Sequence, residues 1–234
     1  MKFYITNKST VISDVEYSNI LQSLKIYLTS LCKDWDFAPI YVLNSIQPLE
    51  KNLPNTVIIF DTINDEILNT YNYDQDPNSV ARIFAKTVLE SGGVVLYQDE
   101  FTMTVTQILC NEILGLISNL NMNKWYMDSN ASLWWSDICA PVYGNILCVD
   151  LPSGAKVGLS DYVLPCYFGP NGVEGPFNKN NTLMGPFGID EYGYSIKFED
   201  GNFKSSFGPS CQQEKIDQVS DYLEEFKSRF NKSI

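Results

Sequence analysis

At 234 residues the chain favours one large domain, or one compact domain with extensions, over two full domains, since a domain takes roughly 150 residues, and with 44% hydrophobic against 19% charged residues it can build a sizeable core. A formal charge of −12 and a pI near 4.4 repel phosphates and anionic headgroups, so nucleic acid and membrane surfaces are not expected partners. The chain has no histidine, which removes His-ligated zinc, imidazole acid–base catalysis and nucleophile–histidine pairs.

In chain order, a short strand is expected at residues 3–6. Ser13 and Glu16 then have the spacing of a capping box, and Ile20, Leu21, Leu24, Tyr27, Leu28 and Leu31 follow with helical period. Residues 40–43 and 56–60 read as strands, the second with a continuous apolar run at 57–60 suited to burial on both faces. Residues 80–89 fit either a strand or a helix, closed by a turn at Gly92 and Gly93. From 104 to 120, Val105, Ile108, Leu109, Ile113, Leu116, Ile117 and Leu120 recur at threes and fours, which predicts a mostly buried helix. Residues 125–210 are rich in aromatics, Gly and Pro, with Gly-Pro-Phe turns at 175–177 and 185–187, and read as strands and ordered loops packed through rings. A closing amphipathic helix carries Ile216, Val219, Leu223, Phe226 and Phe230 on one face.

The six cysteines contain no CxxC pair and read as reduced thiols, with Cys110 and Cys139 acting as small hydrophobes. Residues 1–13 hold no apolar signal segment, and nowhere do 18 apolar residues run uninterrupted. The expectation is a soluble protein that is not secreted, so the Asn-x-Ser/Thr sequons at Asn7, Asn130, Asn180 and Asn231 read as chance matches. Residues 74–78 imitate the start of a calcium loop, but Ser79 stands where glycine and Ala85 where glutamate is needed, which excludes an EF-hand.

The helix at 104–120 is where a zincin would carry metal ligands, because side chains four apart on one face point at one ion. Here it reads Cys110-Asn111-Glu112-Ile113-Leu114-Gly115. With its flanks it resembles a family of zincin-like metallopeptidases encoded mainly by tailed phages and other viruses, whose helix has a Ser-His-Glu-hydrophobic-Leu-Glu pattern. The resemblance runs from about residue 54 to about 200. It includes Val57-Ile58-Ile59-Phe60-Asp61, Leu68-Asn69-Thr70-Tyr71-Asn72 for a Leu-Gly-Tyr-His stretch, and Arg82-Ile83-Phe84-Ala85-Lys86-Thr87. It continues with Ser136-Asp137-Ile138-Cys139-Ala140-Pro141-Val142, with residues 159–168, and with Tyr192-Gly193-Tyr194.

The departures fall on the residues that carry the chemistry. Asn111 replaces the helix histidine, Asn72 the earlier one, Gly115 the second helix carboxylate and Ala140 the carboxylate after the cysteine, leaving Glu112 and Asp137. An amide oxygen is a weak neutral ligand beside imidazole, and two carboxylates with an amide suit a hard cation better than zinc.

The resemblance therefore implies an α+β fold, a zincin-like mixed sheet with a long helix across one face and amphipathic helices near both termini. Residues 1–53 would pack on a degenerate domain at 54–205, with a final helix at 206–234. The implied function is non-catalytic, in a virion or the host cytoplasm: a minor capsid, cement or internal head component. Its expected partners are other virion proteins or itself, with no cofactor and no zinc. The alternatives are a hydrolase using Glu112, Asp137 and Asn111 around calcium, magnesium or manganese, and a soluble host-interaction factor. For Glu112 and Asp137, hydrogen-bonded structural carboxylates are the favoured reading. Asp161 reads as a strand-entry cap or turn acceptor and Trp134-Trp135 as core.

Overall fold

A computed structural model describes residues 1–45, 55–63, 80–119 and 125–231. In chain order its elements are β1 Lys2–Asn7, α1 Asp14–Trp35, β2 Tyr41–Asn44, β3 Thr56–Phe60, β4 Val80–Phe84, α2 Ala85–Glu90 and α3 Val105–Asn119. They continue with β5 Trp125–Met127, β6 Leu133–Trp135, β7 Ile146–Asp150, β8 Lys156–Ser160, β9 Tyr194–Glu199, β10 Asn202–Phe207 and α4 Gln213–Asn231. The fold is mixed α+β. The chain divides into two compact units, Met1–Ile117 with Ile146–Ser160, and Ser118–Asn145 with Asp161–Ile234.

The first unit is built on a parallel sheet of order β2-β1-β3-β4. Every residue of β3 is buried, Thr56 together with the apolar run 57–60, as in a strand covered on both faces. Because β1 lies between β2 and β3, the sheet runs across the expected boundary at residue 53. Helix α1 starts as its sequence dictates: Ser13 Oγ accepts from Glu16 N while the Glu16 carboxylate accepts from Ser13 N at 2.8 Å, completing the capping box. It packs on β2, β7 and β8. Its stripe of Ile20, Leu24, Leu28 and Leu31 is wholly buried, worth about 1.5–3 kcal/mol each. Residues 80–89, ambiguous in sequence, form both elements: β4 pairs with β3 as far as Phe60–Phe84, where β3 ends, and α2 then buries Ala85 and Val88.

The β7–β8 hairpin holds the start of α3. Thr104 and Thr106 hydroxyls both donate to the Gly158 carbonyl, at 2.8 and 2.6 Å. A Cβ at Gly158 would lie 2.9 Å from Ile146 and 3.0 Å from Tyr97, so only glycine lets these groups approach.

In the second unit an antiparallel sheet of order β10-β9-β6-β5 packs Ile196 against Val219 and Leu223 of α4, with Trp135, Tyr194, Phe203 and Phe207 around them. The aromatic loops pack through rings: Tyr126 stacks on Phe168 at 4.0 Å and Trp134 meets Phe187 at 4.9 Å. Gly193 sits so close to Pro141 O that a Cβ there would be 2.1 Å away. Instead of one mixed sheet the described residues thus form a parallel sheet, an antiparallel sheet and a hairpin. The alternating exposure of β10 belongs to an antiparallel strand with one wet face, which cannot join a sheet buried on both sides.

Candidate functional site

The helix that carries the family resemblance, α3, belongs to the first unit. Its start is capped by Thr104, whose Oγ1 accepts from Gln107 N at 2.8 Å. One broad face, Val105, Thr106, Leu109, Cys110, Ile113, Leu114 and Ile117, is buried. Cys110 is enclosed with Tyr27 and Ser160, and burial pushes its thiol up to about 12, so it stays protonated and unreactive. The two positions where the resembling family places ligands, 111 and 115, lie one turn apart at the half-buried edge of this face. Asn111 Oδ1 is buried and accepts no hydrogen bond from a described group, and a Cβ added at Gly115 would meet no described atom within 4 Å. Glu112 points from the neighbouring, exposed side of the helix.

Asp137 and Asp161 belong to the second unit. Asp137 Oδ1 accepts from Cys139 N at 3.0 Å and Ala140 N at 3.1 Å, and so closes an Asx-type turn leading into the short 3-10 turn Ala140–Val142. Asp161 follows β8 rather than entering a strand and is wholly buried. It accepts from Asn178 Nδ2 at 2.6 Å, Tyr162 N at 2.8 Å and Asn180 N at 3.3 Å. Burial nevertheless raises it to about 6, outweighing these bonds. The network continues from Asn178 through Thr182 to Asp190, whose carboxylate also accepts from Asn145 Nδ2 at 2.7 Å. Burial opposes the Asp190 charge, but the Thr182 and Asn145 bonds prevail and hold it below the usual carboxylate range. Its spacing in sequence, 145, 161, 178, 182 and 190, carries no motif, which is why only Asp161 of this set is legible beforehand.

Trp134 Nε1 donates to Asp128 Oδ2 at 2.8 Å, so the indole serves a turn. The carboxyl ends of β1 and β3 hold another group unmarked by sequence: Asp61 accepts from Ser9 Oγ at 2.5 Å and from Thr10 N and Oγ1 at 2.9 and 2.6 Å. These bonds hold the Asp61 carboxyl low and tie the two strand ends together. Asn72 and residues 74–78 lie outside the described residues.

On α3, position 111 offers one amide oxygen and position 115 no side-chain donor, a poorer pair for zinc than imidazole and carboxylate. In the second unit Asp137 has one oxygen committed to backbone donors. Among the described residues no three His, Cys, Asp or Glu side chains converge where they could hold a metal. No described helix is long and apolar enough to cross a membrane. Comparison with known proteins finds no matching family model, no matching curated protein and no matching solved structure.

Proposed function

We propose that the chain is a non-catalytic protein on a zincin-like scaffold, acting as a structural component of a virus particle: a minor capsid, cement or internal head protein. The observation that carries the loss of catalysis is the edge of α3, where Asn111 and Gly115 occupy the two positions at which the resembling family has histidine and glutamate. Neither can replace the charge and basicity that a zinc-bound water needs to become a nucleophile near neutral pH. Asp137 supports the same reading, since its carboxylate closes a turn. The assignment to a particle rests on the resemblance to the viral family alone. Both terminal helices turn apolar residues inward within their own units, which leaves polar and charged faces for partners.

Two measurements test the reading. Purified protein should contain no stoichiometric divalent metal by elemental analysis, and mass spectrometry of purified particles should return a fixed copy number. A metal at one per chain that disappears in Glu112→Ala, or chelator-sensitive peptide turnover, would replace it with a hydrolase using an altered carboxylate and amide site. Asn111 Oδ1, buried and without a described donor, is the one feature that favours this second reading, because hard cations take neutral oxygen ligands. Absence from particles, with the protein found in infected cytoplasm, would favour the soluble host-interaction factor.

A further inference from the structure

In the second unit a groove of about 210 Å³ opens between α4 and the antiparallel sheet, lined by Trp135, Tyr194, Ile196, Lys215, Gln218 and Val219. Its walls are indole, phenol and branched aliphatic carbon, and its polar groups, an ammonium and an amide, come from α4. The Lys215 ammonium rests 4.4 Å from the Tyr143 ring centroid and 5.2 Å from that of Tyr194, and it forms no ion pair with a described carboxylate. In a chain of net charge −12, this lysine, held by ring faces beside the groove, is a cation that the described carboxylates leave unpaired. A second feature lies next to it. Ser195 Oγ, buried and without a hydrogen-bond partner among the described residues, lines an adjoining cavity of about 10 Å³ that shares Trp135, Tyr194 and Ile196 with the groove.

We infer that this groove is a binding site for a small planar aromatic carboxylate, its ring against Trp135, Ile196 and Val219 and its carboxylate paired with Lys215. At about 210 Å³ the groove is smaller than the roughly 300–1,000 Å³ pockets of drug-sized ligands, and it is open to solvent on one side, so it would seat one face of a small ring rather than enclose it. Charge selects the carboxylate over its amide, because only the ionised group forms a charge-assisted bond with the ammonium.

The probe is 2-naphthoate, with naphthalene-2-carboxamide as its neutral counterpart, followed by calorimetry and tryptophan fluorescence on the full chain. The expected result is saturable one-to-one binding of 2-naphthoate, about tenfold tighter than the amide. Lys215→Gln should equalise the two affinities, and Gln218→Trp, which places a large ring at the rim, should abolish both. Failure of 2-naphthoate to saturate, an amide that binds as well as the acid, or a preference that survives Lys215→Gln would each overturn the assignment. Circular dichroism of both variants separates lost binding from lost folding, and loss of folding in one leaves the other to decide. Metal content does not enter these readouts, so the outcome is independent of the reading of α3.

Discussion

Two aspartates of the second unit show how the same side chain takes different energetic roles. Asp137 is half-buried and accepts from two backbone N–H groups, closing an Asx-type turn. Asp137→Ala should cost about 1–3 kcal/mol, the usual loss when partly buried donors are left unpaired, read as a lower thermal midpoint, with bound metal unchanged. An altered metal content instead would mark a ligand. Asp161 is wholly enclosed, and its folded pKa of about 6 lies above the unfolded value of about 4. Its protonated form is therefore favoured by folding. That contribution is fully present below about pH 4 and is lost as pH rises through about 6, with an order of about 2–3 kcal/mol over the window. The thermal midpoint of dilute protein should accordingly rise as pH falls from 7.5 to 5. Asp161→Asn should flatten this slope whatever it does to absolute stability, because the carboxamide does not titrate. An unchanged slope would show that Asp161 is neutralised in some other way.

At the scale of elements, the helices were the most readable parts of the chain. The Ser13–Glu16 spacing placed the start of α1, and the capping box is present in full. The apolar period placed the start of α3 to within a residue, since 3.6-residue periodicity survives whatever the helix packs on. Residues 80–89 were not resolvable by period, because a short apolar run suits a strand and a helix equally. The end of β3 decides where β4 gives way to α2. Gly115 gives α3 a direct test. It lies inside a helix, where glycine costs up to about 1 kcal/mol relative to alanine, and the added methyl meets no described atom. Gly115→Ala should therefore stabilise the protein by about 0.5–1 kcal/mol in urea unfolding, with an unchanged m-value. Destabilisation would mean that something occupies that space.

For the whole molecule, composition sets the behaviour in solution. With 28 acidic and 16 basic residues, the protein should be least soluble near pH 4.4, and a fluorescent single-stranded DNA should show no anisotropy change at about 50 mM salt. DNA binding that weakens steeply with added salt would reveal a basic patch that the net charge conceals. The candidate chemistry was only partly legible. Asn111, Glu112 and Gly115 could be read from one helical segment, because ligand spacing on a helix is local. The ring of Asn145, Asp161, Asn178, Thr182 and Asp190 could not, because loops bring those residues together across 45 positions.

The sequence by itself determined the local and additive properties: helix starts and periods, the buried character of β3, the acidic charge and the absence of imidazole. Each depends on neighbours within a few positions or on a sum over the chain. Only the tertiary structure decided that the strands divide into a parallel and an antiparallel sheet, that Asp137 closes a turn while Asp161 is buried, and that Lys215 rests on two tyrosine rings beside a groove. Those outcomes depend on which distant segments share a hydrogen-bond ladder or a desolvated space, and neither residue order nor composition encodes that pairing locally.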